Sequence, residues 1–349
     1  MKAAIFYGIE NIKTEEKEKP KCGEKEVLVK VAFCAICGTD VRIFFSGHKK
    51  VIPPAVIGHE ITGEVSEIGK GLSDIDLKIG DKIVLVTSIG CGKCPLCKKG
   101  FYNLCPDTKA IGYFYSGGYA EYVTIPEPAV QQKAWVKLPS NVSLLEGALI
   151  EPLSCVINGQ NYLDIEKGDT VVIYGGGPIG LMHAVIARAK EAENIIIIDP
   201  NFQRLESFAK KFEGLILLDP KKENIKEKIK SITSGFGAEV VITAAPAKEA
   251  QMEALEIIAQ KGRISFFGGL PKDNSNITID SNKIHYNEIS VFGSFASNRV
   301  SFVQSAELIS QRKIAPEKFI TEVIPLEDIE KGIRKVRAGE ALKIVVKIS

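Results

Sequence analysis

At 349 residues, with 45% hydrophobic and 25% charged side chains, the chain is long enough for two domains with separate cores and has an ordinary globular make-up. Its 45 basic and 43 acidic residues are interspersed and leave a formal charge of +2, which excludes a stripe suited to nucleic acid or a membrane surface. The apolar runs are too short to span a bilayer, and residues 1–7 form a short strand that breaks at Gly8, without the layout of a secretory signal, so a cytoplasmic location is expected. Eight cysteines in such a compartment point to metal or catalysis instead of disulfides.

In chain order, strands are predicted at 3–7 and 27–33, separated by a charged loop at 14–26 that carries Pro20 and Gly23. Cys37-Gly-Thr39-Asp40-Val-Arg42 follows, then Pro53-Pro54, Gly58-His59-Glu60 and a strand at 61–68. Cys37, His59 and Glu60 offer a thiolate, an imidazole and a carboxylate, the three ligand types zinc accepts; a catalytic zinc takes three protein ligands and keeps a fourth position open. Taken singly, each has an ordinary role as a small buried hydrophobe, a turn histidine or a surface glutamate.

Together, Cys37-Gly-Thr-Asp40, Gly58-His59-Glu60-x-x-Gly63-x-x-x-x-x-Gly69 and Gly80-Asp81 resemble the zinc-dependent medium-chain dehydrogenase/reductase superfamily, and the resemblance runs over essentially the whole chain. It implies an α/β protein: a doubly wound Rossmann sheet joined to a mainly β, GroES-like catalytic domain with a zinc lobe. It also implies two zinc ions per chain, a small-molecule alcohol substrate and a homo-oligomer, dimer or tetramer.

Cys91-x-x-Cys94-x-x-Cys97-x₇-Cys105 follows within residues 88–108. Four thiolates close a tetrahedral shell with no open position, so this set predicts a structural zinc that staples a lobe with little core of its own. A nucleic-acid zinc ribbon fits less well, because ribbons pair two knuckles across a longer gap and no basic reading helix is present. A hairpin strand is expected at 112–123, a short strand at 135–139 and a helix from 144, which brings Glu151 and Cys155. The resemblance puts a further carboxylate or cysteine at the catalytic zinc where Glu151 stands; Cys155, one helical turn on, is assigned to the core.

From about 156 the pattern changes to alternating strands (170–174, 194–198, 215–218, 239–243, 262–267, 288–293) and helices (178–190, 202–212, 223–233, 248–259), the signature of a doubly wound parallel sheet. Gly175-x-Gly177-Pro178-Ile179-Gly180 follows the first strand and opens the first helix. The first glycine permits the tight turn, the second lets a pyrophosphate approach the backbone, and the third lets helix pack on strand. Asp199 closes the next strand at the offset of a ribose-binding carboxylate, which favours NAD over NADP; Arg204, five residues on, contacts either the adenosine or nothing, and a basic residue nearby is the usual route to NADP. Helices at 301–311 and 326–337 and a strand at 342–348 resemble the family's return to the first domain. The expected division is therefore 1–155 with 295–349 as the catalytic domain and 156–294 as the NAD-binding domain, with the active cleft between them.

By resemblance, a zinc held by Cys37 and His59, with Glu60 and Glu151 as carboxylate candidates, binds the substrate hydroxyl, and Thr39 takes its proton. Many members end that relay with a histidine three residues after the hydroxyl. Arg42 stands there in this chain and cannot shuttle a proton. Either another group or water completes the relay, or Arg42 holds the cofactor or an anionic substrate; His48 is a candidate for the first role, although a solvated loop histidine is the expected reading. Phe44, Phe45, Tyr113 and Arg299 are candidate pocket residues. The carboxylate-rich zinc set resembles the polyol branch (sorbitol, threonine, butanediol and sugar-phosphate alcohol dehydrogenases), so an NAD-dependent secondary-alcohol dehydrogenase acting on polyols is expected. A zinc-free quinone reductase of the same superfamily, which lacks both zinc sets, and a non-catalytic NAD sensor are the alternatives.

Overall fold

The computed structural model describes residues 1–349 and divides into two compact units, Met1–Cys155 with Ala296–Ser349, and Val156–Phe295. No helix is long and apolar enough to cross a membrane.

The first unit is built on a seven-stranded sheet. Its strands run in the spatial order Ile320–Pro325, Lys343–Lys347, Val27–Ala35, Glu60–Ile68, Lys82–Leu85 and Trp135–Lys137, and Tyr122–Ile125 also pairs with Val27–Ala35. Val27, Leu28, Val29, Val31, Cys34 and Ala35 are all buried, so this strand forms the spine of the unit. Lys343–Lys347 lies antiparallel beside it, which makes residues after 296 part of the same sheet.

The second unit is a six-stranded parallel sheet in the order Leu215–Leu218, Asn194–Ile198, Thr170–Tyr174, Ala238–Thr243, Ile258–Phe266 and Ser290–Gly293. Thr170–Tyr174 is buried along its whole length, as expected of a strand covered by helices on both faces. The chain proceeds outward from it on one side, then returns to build the other side. That reversal is the switch point at whose carboxyl edge dinucleotides bind in such sheets. The expected fold class is the one observed.

Local differences have local causes. The expected charged loop contains a strand, Asn11–Glu16, paired with Lys2–Gly8; only Ile12 of it is buried, so it carries almost no apolar signal. Residues Gly38–Ser46 form a helix that spacing alone did not reveal, started by Asp40, whose Oδ2 accepts the Cys37 N–H at 2.9 Å. The expected hairpin over 112–123 is shortened to the strand Tyr122–Ile125, because Gly117 and Gly118 donate instead to the backbone of Val56 and Gly58. The fifth strand of the parallel sheet begins at Ile258, earlier than the expected 262, and the preceding helix stops at Ile257.

Candidate active site

Cys37 caps the N-terminus of the helix Gly38–Ser46, while His59 and Glu60 stand at the entry to the strand Glu60–Ile68. Gly58 sets this entry: its φ of +91° is a left-handed conformation, and a Cβ there would meet Cys34 Sγ and the Tyr119 ring at 2.9 Å. The Cys37, His59 and Glu60 ligand atoms all lie within 4.8 Å of one another. His59 and Glu60 are buried and Cys37 is half-buried.

Asp40, fully buried, ties the group together. Its Oδ2 accepts the Cys37 N–H and the Tyr119 hydroxyl, each at 2.9 Å, and its Oδ1 lies 3.4 Å from His59 Nδ1. Burial works to raise its carboxyl, but the His59 imidazole and these hydrogen bonds hold it below the usual carboxylate range. For His59 burial works downward, and the charges of Asp40 and Cys37 lift it well above the ordinary imidazole value. A metal at His59 must therefore displace a well-held proton, a source of proton release on loading. With Nδ1 turned toward Asp40 Oδ1 at 3.4 Å, Nε2 is the nitrogen left for a metal, the usual arrangement of a ligating histidine with a carboxylate behind it.

Lys343 completes the interior. Its Nζ lies 2.5 Å from both Glu60 oxygens and donates to Ile36 O at 3.0 Å, with Lys343 and Glu60 both buried. Burial pulls its proton affinity down, and the Glu60 and Cys37 charges more than offset this. Lys343→Met removes one side of a buried pair, and about 3–5 kcal/mol is expected to be lost from the metal-free protein, with Glu60→Gln in the same chain restoring part of it. Denaturant unfolding of the three variants checks this; equal midpoints for wild type and Lys343→Met would sink it.

Glu151 is not within the 4.8 Å set. It is buried on the helix Ile150–Gln160, and burial first, then Glu60, push its carboxyl up to about 7 against the opposing pull of His59 and Lys343. Cys155, assigned to the core from the sequence, is half-buried, and its thiol donates to Glu151 Oε1 at 3.6 Å. Thr39 is half-buried beside Tyr113, whose phenol burial pushes up to about 12. Of the other candidate pocket residues, Phe44 is fully buried and cannot line a pocket, Phe45 lies under the Arg337 guanidinium at 4.1 Å, and Arg299 Nε donates to Trp135 O at 3.3 Å.

The four cysteine sulfurs of 91, 94, 97 and 105 also lie within 4.8 Å of one another. Cys94 Sγ and Cys105 Sγ are 3.9 Å apart, close to the roughly 3.8 Å edge of a tetrahedron with zinc–sulfur bonds of about 2.3 Å. Cys105 Sγ accepts the Cys91 N–H at 3.3 Å and Cys94 Sγ accepts the Cys97 N–H at 3.4 Å. Backbone N–H groups of Lys93 and Cys94 draw the Cys91 thiol down to about 6, whereas burial pushes Cys97 up to about 12. Between 88 and 110 the buried apolar side chains are only Ile89, Cys97 and Cys105, so the lobe has no core to hold it without a metal. Both donor sets fit zinc in chemistry and spacing.

In the second unit, the turn after Thr170–Tyr174 meets the demands of a dinucleotide. Gly175 has φ +109°, and a Cβ on Gly180 would lie 1.7 Å from Gly175 O, so helix and strand approach as only glycine permits. Gly177 caps the helix Pro178–Ala189 with no side-chain bond, Pro178 and Ile179 form its first turn, and a Cβ at Gly177 would meet nothing within 4 Å. Free N–H groups thus face open space, as a pyrophosphate requires. Asp199, buried at the end of Asn194–Ile198, accepts Gly176 N–H and Asn201 N–H at 2.7 Å each, and its Oδ2 is 3.1 Å from Arg204 Nη2. Arg204 is therefore engaged by Asp199.

Comparison with known proteins agrees with this chemistry. The family model described as the alcohol dehydrogenase GroES-like domain matches residues 23–138, and that of the zinc-binding dehydrogenases matches 178–311. The chain belongs to the zinc-dependent medium-chain dehydrogenase/reductase superfamily. Sorbitol dehydrogenase of Halalkalibacterium halodurans is 30% identical, over 99% of each chain, and D-xylulose reductase A of Aspergillus niger is 33% identical over 98% of this chain and 95% of its own. A solved structure of a Sinorhizobium meliloti protein described as a zinc-binding dehydrogenase, bound to NADP, superposes with a TM-score of 0.90 at 30% identity, covering 99% of this chain and 98% of that one.

Sequence reasoning missed Asp40 and Lys343 as parts of the centre. Asp40 was visible inside the Cys37-Gly-Thr-Asp motif; nothing local marks Lys343.

Proposed function

We propose that this protein is a zinc-dependent polyol dehydrogenase that moves a hydride between a secondary alcohol and NAD. The observation that carries the reading is the convergence of Cys37, His59 and Glu60 around one point, backed by Asp40 and Lys343. Relatives named for sorbitol and xylulose support the substrate class. Cys37, His59 and Glu60 hold the catalytic zinc, Glu151 stands beside them as a buried carboxyl, and the four-cysteine lobe holds a second zinc. The split unit is the catalytic domain, and the segment from about 156 to 294 binds the nucleotide.

When bound, zinc supplies Lewis acidity toward a substrate hydroxyl and NAD supplies the hydride acceptor. Asp40 orients His59, and Lys343 holds Glu60 in place. Thr39 Oγ1 accepts the hydroxyl proton as its own proton passes on to water. Gly175, Gly177 and Gly180, with the Ile179 N–H in the first helical turn that Pro178 opens, seat the pyrophosphate, and Asp199 accepts from the ribose hydroxyls. Arg204 competes for that carboxylate, and its release offers a 2′-phosphate partner. Asp199→Asn is accordingly expected to lower the ratio of kcat/KM for NAD over NADP by about tenfold or more; an unchanged ratio sinks the role of Asp199.

A cytoplasmic location goes with this reading, since five of the eight cysteines, Cys37, Cys91, Cys94, Cys97 and Cys105, are assigned to metal and not to disulfides. So does a homo-oligomer, dimer or tetramer: the edge strand Ser290–Gly293 is unpaired on its outer side, and Val291 on it and nearby Tyr286 are 37% and 76% exposed. The function is tested by NADH absorbance from the zinc-loaded protein with NAD and neutral polyols, polyol phosphates, threonine and simple secondary alcohols, with and without chelation. Chelator-sensitive turnover of polyols is expected. Turnover that survives complete zinc removal favours a zinc-free reductase mechanism, and no turnover with any alcohol favours a nucleotide-binding sensor.

A further inference from the structure

The helix Gly38–Ser46 buries Asp40, Val41, Ile43 and Phe44 and turns Thr39 and Arg42, three residues apart, toward its open face. Arg42 is exposed, and neither it nor Lys49 makes an ion pair. His48, just beyond the helix, is half-buried and not a solvated loop residue: its ring packs edge-on to Tyr113 with centroids 5.4 Å apart. Tyr113 in turn lies 5.4 Å from the His59 ring and stands beside Thr39. A continuous line of side chains therefore runs from the metal-binding histidine through Tyr113 to His48. The Lys50 N–H donates to His48 Nδ1 at 3.2 Å, which leaves Nε2–H as the free donor of that ring. Lys50 Nζ is tied to Thr108 O. Besides burial, every charge that acts on His48 is positive, from Arg42, Lys50 and Lys49. Beside the proposed reacting end there is thus an uncompensated positive field carrying two directed donors, the Arg42 guanidinium and the His48 N–H.

We infer that Arg42 and His48 form an anion-recognition subsite next to Thr39 and Tyr113, so that the preferred substrate is a polyol bearing an anionic group, a phosphate monoester or a carboxylate. This rests on the polyol dehydrogenase reading. A planar guanidinium grips either anion through paired N–H groups, which a neutral polyol cannot exploit. Arg42 thereby has a use that its inability to relay protons leaves open.

The test uses the zinc-loaded enzyme with NAD and matched sets of neutral polyol, terminal polyol phosphate and aldonic acid, built on sorbitol, galactitol and xylitol. In at least one set an anionic member is expected to exceed the neutral one in kcat/KM by about tenfold or more, and which anion wins distinguishes phosphate from carboxylate. Arg42→Gln is expected to reduce that ratio by about 10- to 100-fold, and Arg42→Lys to restore part of it. Inorganic phosphate, with chloride at equal ionic strength as control, is expected to compete with the polyol and to bind wild type but not Arg42→Gln in calorimetric titration. Neutral polyols turned over as well as both anions, a ratio indifferent to Arg42→Gln, or phosphate competing with NAD in place of polyol overturns the subsite while leaving the dehydrogenase reading intact. Phosphate bound through Arg42 with no polyol oxidised keeps the subsite and overturns that reading.

Discussion

Cys37→Ser is expected to lower the zinc content from two ions per chain to one and to cut polyol turnover by about 10³-fold or more, the scale of several kcal/mol of Lewis-acid stabilisation. The serine hydroxyl stays protonated where a thiolate ligand is needed. The substitution is otherwise mild. Serine is a favourable helix N-cap, and Asp40 binds the N–H of residue 37, which serine keeps. NADH binding followed by fluorescence should change little, because the nucleotide turn belongs to the other unit. Metal analysis, initial rates and cofactor titration on one preparation check the three parts. A variant with a single zinc and full activity would falsify the assignment of the centre.

Cys105→Ala is expected to act on folding. Its sulfur accepts the Cys91 N–H and sits 3.9 Å from Cys94 Sγ, so its removal opens the four-sulfur shell. Metal binding to such sites is worth on the order of 10 kcal/mol or more in small zinc-stapled peptides, and this lobe has almost no buried apolar surface to replace it. The expected result is loss of one zinc together with a marked fall in soluble yield and thermal midpoint, whereas any residual folded enzyme keeps its catalytic zinc. Two retained zinc ions with an unchanged melting curve would contradict it. Gln132, bonded to Gly90 through both its side-chain amide and carbonyl, and Lys50, bonded to Thr108 O, hold the lobe against the rest of the unit but cannot order its interior.

How far each part was legible in the sequence follows from the range of the interactions that form it. The parallel sheet was readable because Thr170–Tyr174 and Asn194–Ile198 are buried on both faces, which leaves continuous apolar runs next to a glycine turn. The four-cysteine lobe was readable because its ligands are close in the chain. The Cys37, His59 and Glu60 set needed a family resemblance, since each alone has an ordinary role. The strand Asn11–Glu16 was hidden because its stability comes from pairing with Lys2–Gly8 and not from its own side chains. Lys343 was beyond reach for a different reason. A lysine within an apolar strand is buried only because Glu60, 283 residues away, receives it.

That separation also sets an order of events during synthesis. The cysteine lobe spans 14 residues from Cys91 to Cys105, so its shell is complete about one to three seconds after its first ligand is made, at roughly 5–20 residues per second. Glu60 waits roughly 14 to 57 seconds at the same rate for the ammonium group that neutralises it. For that interval the nascent chain carries three metal-seeking side chains without their counter-ion, while the lobe is already able to capture its ion. The two sites of one protein therefore mature on separate clocks, the stapling metal early and the working metal late.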